Sequence, residues 1–121
     1  MILRDYIKAN WQGTPYLWKS ANRNNGGIDP LFFLLDVIDV YYGKQLKVNN
    51  FTDLFHLTQE APLAEEGMLV FFKKTGFNIH HGGIMVSDEE MAHISPSKGM
   101  IFTNIITSQY WGPMKYKFGV L

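Results

Sequence analysis

The sequence predicts an α+β fold in which N-terminal helices pack on a small antiparallel β-sheet. Three observations predict it. The first is 121 residues with 46% hydrophobic and 18% charged side chains, enough for one domain with a buried core. The second is helical spacing, with a clear helix start signal, confined to the first half of the chain. The third is a change after Gly67 to short apolar runs separated by turn residues.

Residues 2 to 10 place Leu3, Tyr6 and Ile7 at helical spacing and read as a short helix. Ser20 to Gly27 (Ser-Ala-Asn-Arg-Asn-Asn-Gly-Gly) is a loop of residues that tolerate turns and left-handed backbone. Asp29 then suits an N-cap, and Pro30 suits the first helical position, where its missing N–H would be unpaired anyway. Pro30 to Tyr42 reads as a helix ended by Gly43; its only charges are Asp36 and Asp39, so it belongs in the middle of a domain. Residues 51 to 58 form a second short helical segment carrying Phe51, Leu54, Phe55 and Leu57. Met68–Phe72, Gly83–Val86, Met91–Ile94 and Met100–Ile106 are the expected strands, with Tyr116–Val120 as a final one. The whole chain, residues 1 to 121, reads as one domain.

Eleven basic residues balance eleven acidic ones, so the net charge is zero. That removes the electrostatic footprint of a nucleic-acid binder or a polybasic membrane-surface protein. No apolar run approaches the roughly 18 residues that cross a bilayer, and no membrane span is expected. Met1 to Asp5 lacks a basic segment followed by an apolar one, so a cytoplasmic location is expected. Signal-independent export and a trimmed secreted chain are the alternatives. There is no cysteine. Disulfides, thiolate metal sites and a cysteine nucleophile are therefore excluded.

Three patches nevertheless resemble the NlpC-type cell-wall peptidases, a branch of the papain-like cysteine peptidases. Gly13-Thr14-Pro15-Tyr16-Leu17-Trp18, followed by Gly27-Ile28-Asp29, is similar to G-x-P-Y-x-W-G … G-x-D-C-S-G-F. Glu66-Gly67-Met68-Leu69-Val70-Phe71-Phe72 is similar to P-G-D-L-V-F-F, and His81-Gly82-Gly83-Ile84-Met85 to H-V-G-I-Y. Met91-Ala92-His93-Ile94-Ser95 with Gly99-Met100 is similar to I-H-A-S … G-V, and Tyr110-Trp111 has a counterpart near the family's C-terminus. The patches span residues 13 to 111 in order. The resemblance implies a papain-like NlpC-type domain, with His81 in the place of the base, His93 in that of the residue orienting it, and Tyr16 at the cleft.

The nucleophile position falls on Pro30, where Pro30-Leu31-Phe32-Phe33 replaces Cys-Ser-Gly-Phe. Proline supplies neither an attacking atom nor an N–H for the oxyanion. Leu31 and Phe32 replace small residues and could fill substrate space. The expectation is thus a pseudoenzyme with no catalytic residue, in which Pro30, His81 and His93 are vestigial. It would bind through Tyr16, Trp18, Asp29, Leu31, Phe32, His81 and His93, holding a cell-wall peptide or a protein partner such as an active relative. A protein partner could use apolar surface around Leu31 and Phe32. The alternative is a cell-wall peptide hydrolase with a non-cysteine mechanism, for which Thr14, Ser20, Ser95 and Ser97 are nearby hydroxyls without a nucleophile-elbow context. No cofactor or metal is expected. Strand alternation lets only one of His80 and His81 face His93, and two imidazoles with an unidentified acid make a thin zinc site. Trp11, Tyr16, Trp18, Tyr110 and Trp111 either line a groove or complete the core.

Overall fold

Asp29 starts the central helix of the computed structural model, which describes residues 2–74, 76 and 78–121. Its carboxylate accepts the Leu31 N–H at 2.9 Å, Pro30 takes the first helical position, and Gly43 closes the helix in left-handed backbone at φ 67°. This helix, α2 (Pro30–Tyr42), follows α1 (Leu3–Trp11) and precedes the short α3 (Phe51–His56). The second half supplies β1 (Gln59–Ala61), β2 (Leu69–Lys73), β3 (Ile79–Met85), β4 (Glu90–Ser95), β5 (Gly99–Asn104) and β6 (Lys115–Val120). Together the strands make one antiparallel sheet in the order β1-β6-β2-β3-β4-β5. Helices first and an antiparallel sheet second is the α+β arrangement the sequence predicts.

Period-two alternation puts the two sheet faces in different cores. On β2, Leu69 and Phe71 join the larger core under the helices, while Val70 and Phe72 join a smaller one on the other face. The larger core holds Phe33, Leu34, Val37 and Ile38 of α2 with no exposed area, and α2 lies on β3 and β4. Each such side chain contributes about 1.5–3 kcal/mol by burial. Gly82 of β3 lets the layers close, because a Cβ there would stand 3.0 Å from the Phe51 ring and 3.2 Å from Leu34. Among the described residues, no helix is long and apolar enough to cross a membrane.

The differences from the sequence reading have local causes. β3 begins at Ile79 rather than Gly83, because Phe72 and Lys73 of β2 supply ladder partners to residues with little strand character of their own. β1, which the sequence does not announce, is three largely exposed residues held only by β6. α3 stops at His56, with Leu57 as its C-cap. The expected strand to Ile106 ends at Asn104, whose side-chain oxygen accepts the N–H groups of Ile106 and Thr107 and turns the chain.

Gly27 holds the loop before α2 against the segment before it. A Cβ at this position would lie 2.8 Å from the Pro15 carbonyl oxygen and 2.9 Å from Leu17 Cβ. Gly27→Ala is therefore expected to destabilise the domain by about 1–3 kcal/mol through overpacking. Chemical denaturation measures it; a change within experimental error would show that the two segments yield freely.

Candidate functional site

The site is assembled where the loop before α2 crosses the segment containing Tyr16. Leu17 N–H donates to the Ile28 carbonyl at 3.0 Å, Ile28 N–H to Pro15 at 2.9 Å, and Asp29 N–H to Ser20 at 3.0 Å. Asp29 Oδ2 accepts the Lys19 N–H at 2.9 Å, and buried Ser20 donates through Oγ to the Gly27 carbonyl at 2.8 Å. These bonds set Tyr16 and Trp18 beside the first turn of α2. Facing them are β3 and the Tyr110-Trp111 turn, and between the two walls lies an open cleft of about 400 Å³. Tyr16, Pro30 and His81 all line it.

Across the cleft, His81 Nε2 and His93 Nδ1 share a hydrogen bond of 2.8 Å, and His93 Nε2 lies 2.9 Å from Thr103 Oγ1. With Nε2 engaged, Nδ1 is the His81 nitrogen left for a ligand. The Trp111 indole stacks on the His81 ring at 4.4 Å between centroids and 23° between planes, while Phe72 packs at 6.1 Å. His81 is 3% exposed and His93 fully buried. Burial, followed by the neighbouring His93 and His80, holds the His81 pKa well below its usual 6.5. Burial lowers that of His93 to about 4. Both rings are neutral at pH 7 and can pass one hydrogen-bond direction along His81–His93–Thr103.

The helix end offers little to a reacting group. Pro30 is buried in the cleft wall and has no N–H, and the Leu31 N–H is already taken by Asp29 Oδ1. Asp29 also places a carboxylate where the helix terminus carries partial positive charge.

The expected binding residues separate into two groups. Tyr16, Trp18, Asp29, Leu31 and His81 line the cleft. Phe32 does not: it is half-buried against the main core, because the roughly 100° turn per helical residue carries it away from the wall formed by Pro30 and Leu31. It therefore does not fill the cleft. Leu31 is 5% exposed and Phe32 half-buried, so each offers only part of its side chain to a partner. His93 stands behind His81, outside the cleft lining. The aromatics also divide. Trp11 completes the core, edge-on to Phe33 at 5.0 Å, whereas Trp18 and Tyr110 stand at the cleft 67% and 62% exposed.

The sequence weighs His80 only as a metal ligand and leaves Lys74 as a solvated strand-end charge, yet both line the cleft. Phe72 pairs with His81 and Lys73 with Ile79, so His80 is an extra residue in β3. This β-bulge breaks strict alternation and lets both His80 and His81 line the cleft, while His81 is the one that meets His93. A bulge depends on strand pairing and leaves no mark in the sequence. Among the described residues, no group of three or more metal-ligating side chains comes together. A larger depression of about 630 Å³ near Leu63 and Ile106 contains no histidine, so the chemistry points to the smaller cleft.

With a helix N-terminus facing a strand histidine, itself bonded to a residue of the next strand, the chain has an α+β fold of the NlpC/P60 type. Three solved structures share it. An NLP/P60-family protein similar to lipoproteins, from Staphylococcus aureus subsp. aureus Mu50, superposes with a TM-score of 0.78 at 23% identity, covering 98% of this chain and 39% of that one. The NlpC/p60 domain of the peptidoglycan hydrolase SagA gives 0.75 at 16% identity, covering 99% of this chain and 97% of that one. An NlpC/P60-family protein from Bacillus cereus gives 0.77 at 15% identity, covering 97% and 38%. This chain thus spans well under half the length of the first and third. No family model and no curated protein sequence matches it.

Proposed function

We propose that this chain is a catalytically inactive NlpC-like domain that binds a short peptide in the cleft between Tyr16, Pro30 and His81. The peptide is a piece of the cell wall or a segment of a protein partner. The observation that carries the reading is an open cleft in whose wall Pro30 occupies the helix position the resemblance gives to the nucleophile. The exposed rings of Trp18 and Tyr110 at the same cleft suit the flat amides and aliphatic parts of a peptide. The likeness to the domain of a peptidoglycan hydrolase supports a wall peptide first.

Titration of the labelled protein with soluble muropeptides tests this. Shifts confined to Tyr16, Trp18 and the β3 wall are expected, with no cleavage product. Tyr16→Ala is expected to weaken binding about fivefold or more. Turnover by the natural chain that disappears in His81→Ala would overturn the inactive reading and favour a non-cysteine hydrolase. Absence of any binding would overturn the wall-peptide ligand.

A further inference from the structure

Period-two alternation puts Met91, His93 and Ser95 of β4 on the sheet face away from the helices, and register brings Ile101 and Thr103 of β5 beside them. The chain returns past this face through Ser108, Tyr110 and Trp111, leaving a depression of about 380 Å³. That falls within the roughly 300–1,000 Å³ of small-molecule sites. Pro96, Tyr110 and Trp111 line both this depression and the peptide cleft, so the two are neighbours with one shared wall.

Its lining is rich in hydroxyls, carried by Ser95, Ser97, Thr103, Ser108 and Tyr110. Each has one proton to donate and two lone pairs to accept with, and the protein uses only part of that capacity. Ser95 is buried, yet its Oγ meets only Ser97 Oγ among the described residues, at 3.4 Å. An O–H···O bond is normally roughly 2.5–3.0 Å long. A buried hydroxyl held so loosely favours a ligand that completes its bonding. Ser108 Oγ accepts the Trp111 N–H at 2.9 Å and keeps its own proton, and Thr103 Oγ1 meets His93 Nε2 alone. Among the described residues of the lining, Lys98 is the one charge, and it is exposed.

We propose that this depression is a second binding site, distinct in its chemistry from the peptide cleft, and that it takes a neutral sugar. Hydroxyls that both donate and accept match a ligand whose own groups do the same, whereas an anion calls for donors and positive charge. A pyranose carries hydroxyls around its rim and C–H bonds on its faces. The rim meets Ser95, Thr103 and Ser108. A face lies on the exposed Tyr110 ring, which stands perpendicular to Trp111 at 4.9 Å.

The test titrates the isotope-labelled full chain with cellobiose, N,N′-diacetylchitobiose and inorganic phosphate, following the amide shifts. Saturable shifts from at least one of the two neutral disaccharides are expected in Ser95–Ile101 and Ser108–Trp111. Ser95→Ala is expected to weaken that binding about fivefold, and Lys98→Met to leave it unchanged. If Ser95→Ala disturbs the fold, Tyr110→Leu, which alters an exposed ring, should show a loss of similar size. No saturable shift from either sugar overturns the proposal, as do sugar shifts confined to Tyr16 and β3. An affinity indifferent to both Ser95→Ala and Tyr110→Leu overturns it too. Phosphate binding in place of the sugars, lost in Lys98→Met, would make this an anion site instead.

Discussion

Between pH 6.5 and 4 the domain is expected to lose about 3 kcal/mol of stability through His93 alone, with His81 adding to the loss. Both rings are buried and neutral in the folded protein, whereas in the unfolded chain they titrate near 6.5. As pH falls through 6.5 the unfolded chain takes up protons that the folded one refuses, so each step down favours unfolding. The dependence from His93 ends near pH 4, where the folded protein also protonates. Asp36 acts in the opposite sense, because partial burial raises its carboxyl pKa and favours the protonated folded form at low pH. Set against a usual total of about 5–15 kcal/mol, the histidine effect is large. Urea midpoints measured from pH 7.5 to 4.5 read it, and a flat profile would show that the His81–His93 pair is not buried as described. The double variant His81→Gln/His93→Gln should flatten the slope. If that variant does not fold, imidazole NMR on the natural chain reads both pKa values directly.

Pro30→Cys is expected to leave peptidase turnover at background, orders of magnitude below a working triad. Three features stand in its way. A thiolate–imidazolium pair requires His81 to accept a proton, and burial opposes that. The N-terminal turn that would lower the thiol pKa already faces the Asp29 carboxylate. The Leu31 N–H, a neighbouring candidate for holding an oxyanion, is bonded to that same carboxylate, and the Leu31 side chain is bulky in the wall. Because the natural chain has no cysteine, alkylation of the variant reports one thiol only. Its reaction with iodoacetamide should follow a pKa of about 8.5 or higher. A pKa well below this, together with cleavage of muropeptides, would show that the machinery survives apart from its nucleophile.

Much of the scaffold was legible because its signals are local. Asp29 and Pro30 announce the start of α2, Gly43 its end, and the short apolar runs after Gly67 the sheet. The limits of β3 were not legible. His80 and His81 become strand residues by pairing with β2, and no propensity of their own requires it. Trp11 and Trp18 are the same residue type seven positions apart, yet one completes the core and the other stands 67% exposed at the cleft. Which ring is buried depends on what α2 and the loop bring against it.

By itself the sequence determined that this chain has no thiol, that a proline opens its central helix, and that His93 stands on a strand. These are statements about which atoms exist and about short-range backbone preferences. Tertiary structure alone decided that the cleft is open with Phe32 turned away from it, that a bulge aims His80 into it, and that His81 is sealed between Trp111 and His93. Those outcomes rest on strand register and on packing between residues far apart in the chain, and no local stretch of sequence encodes either.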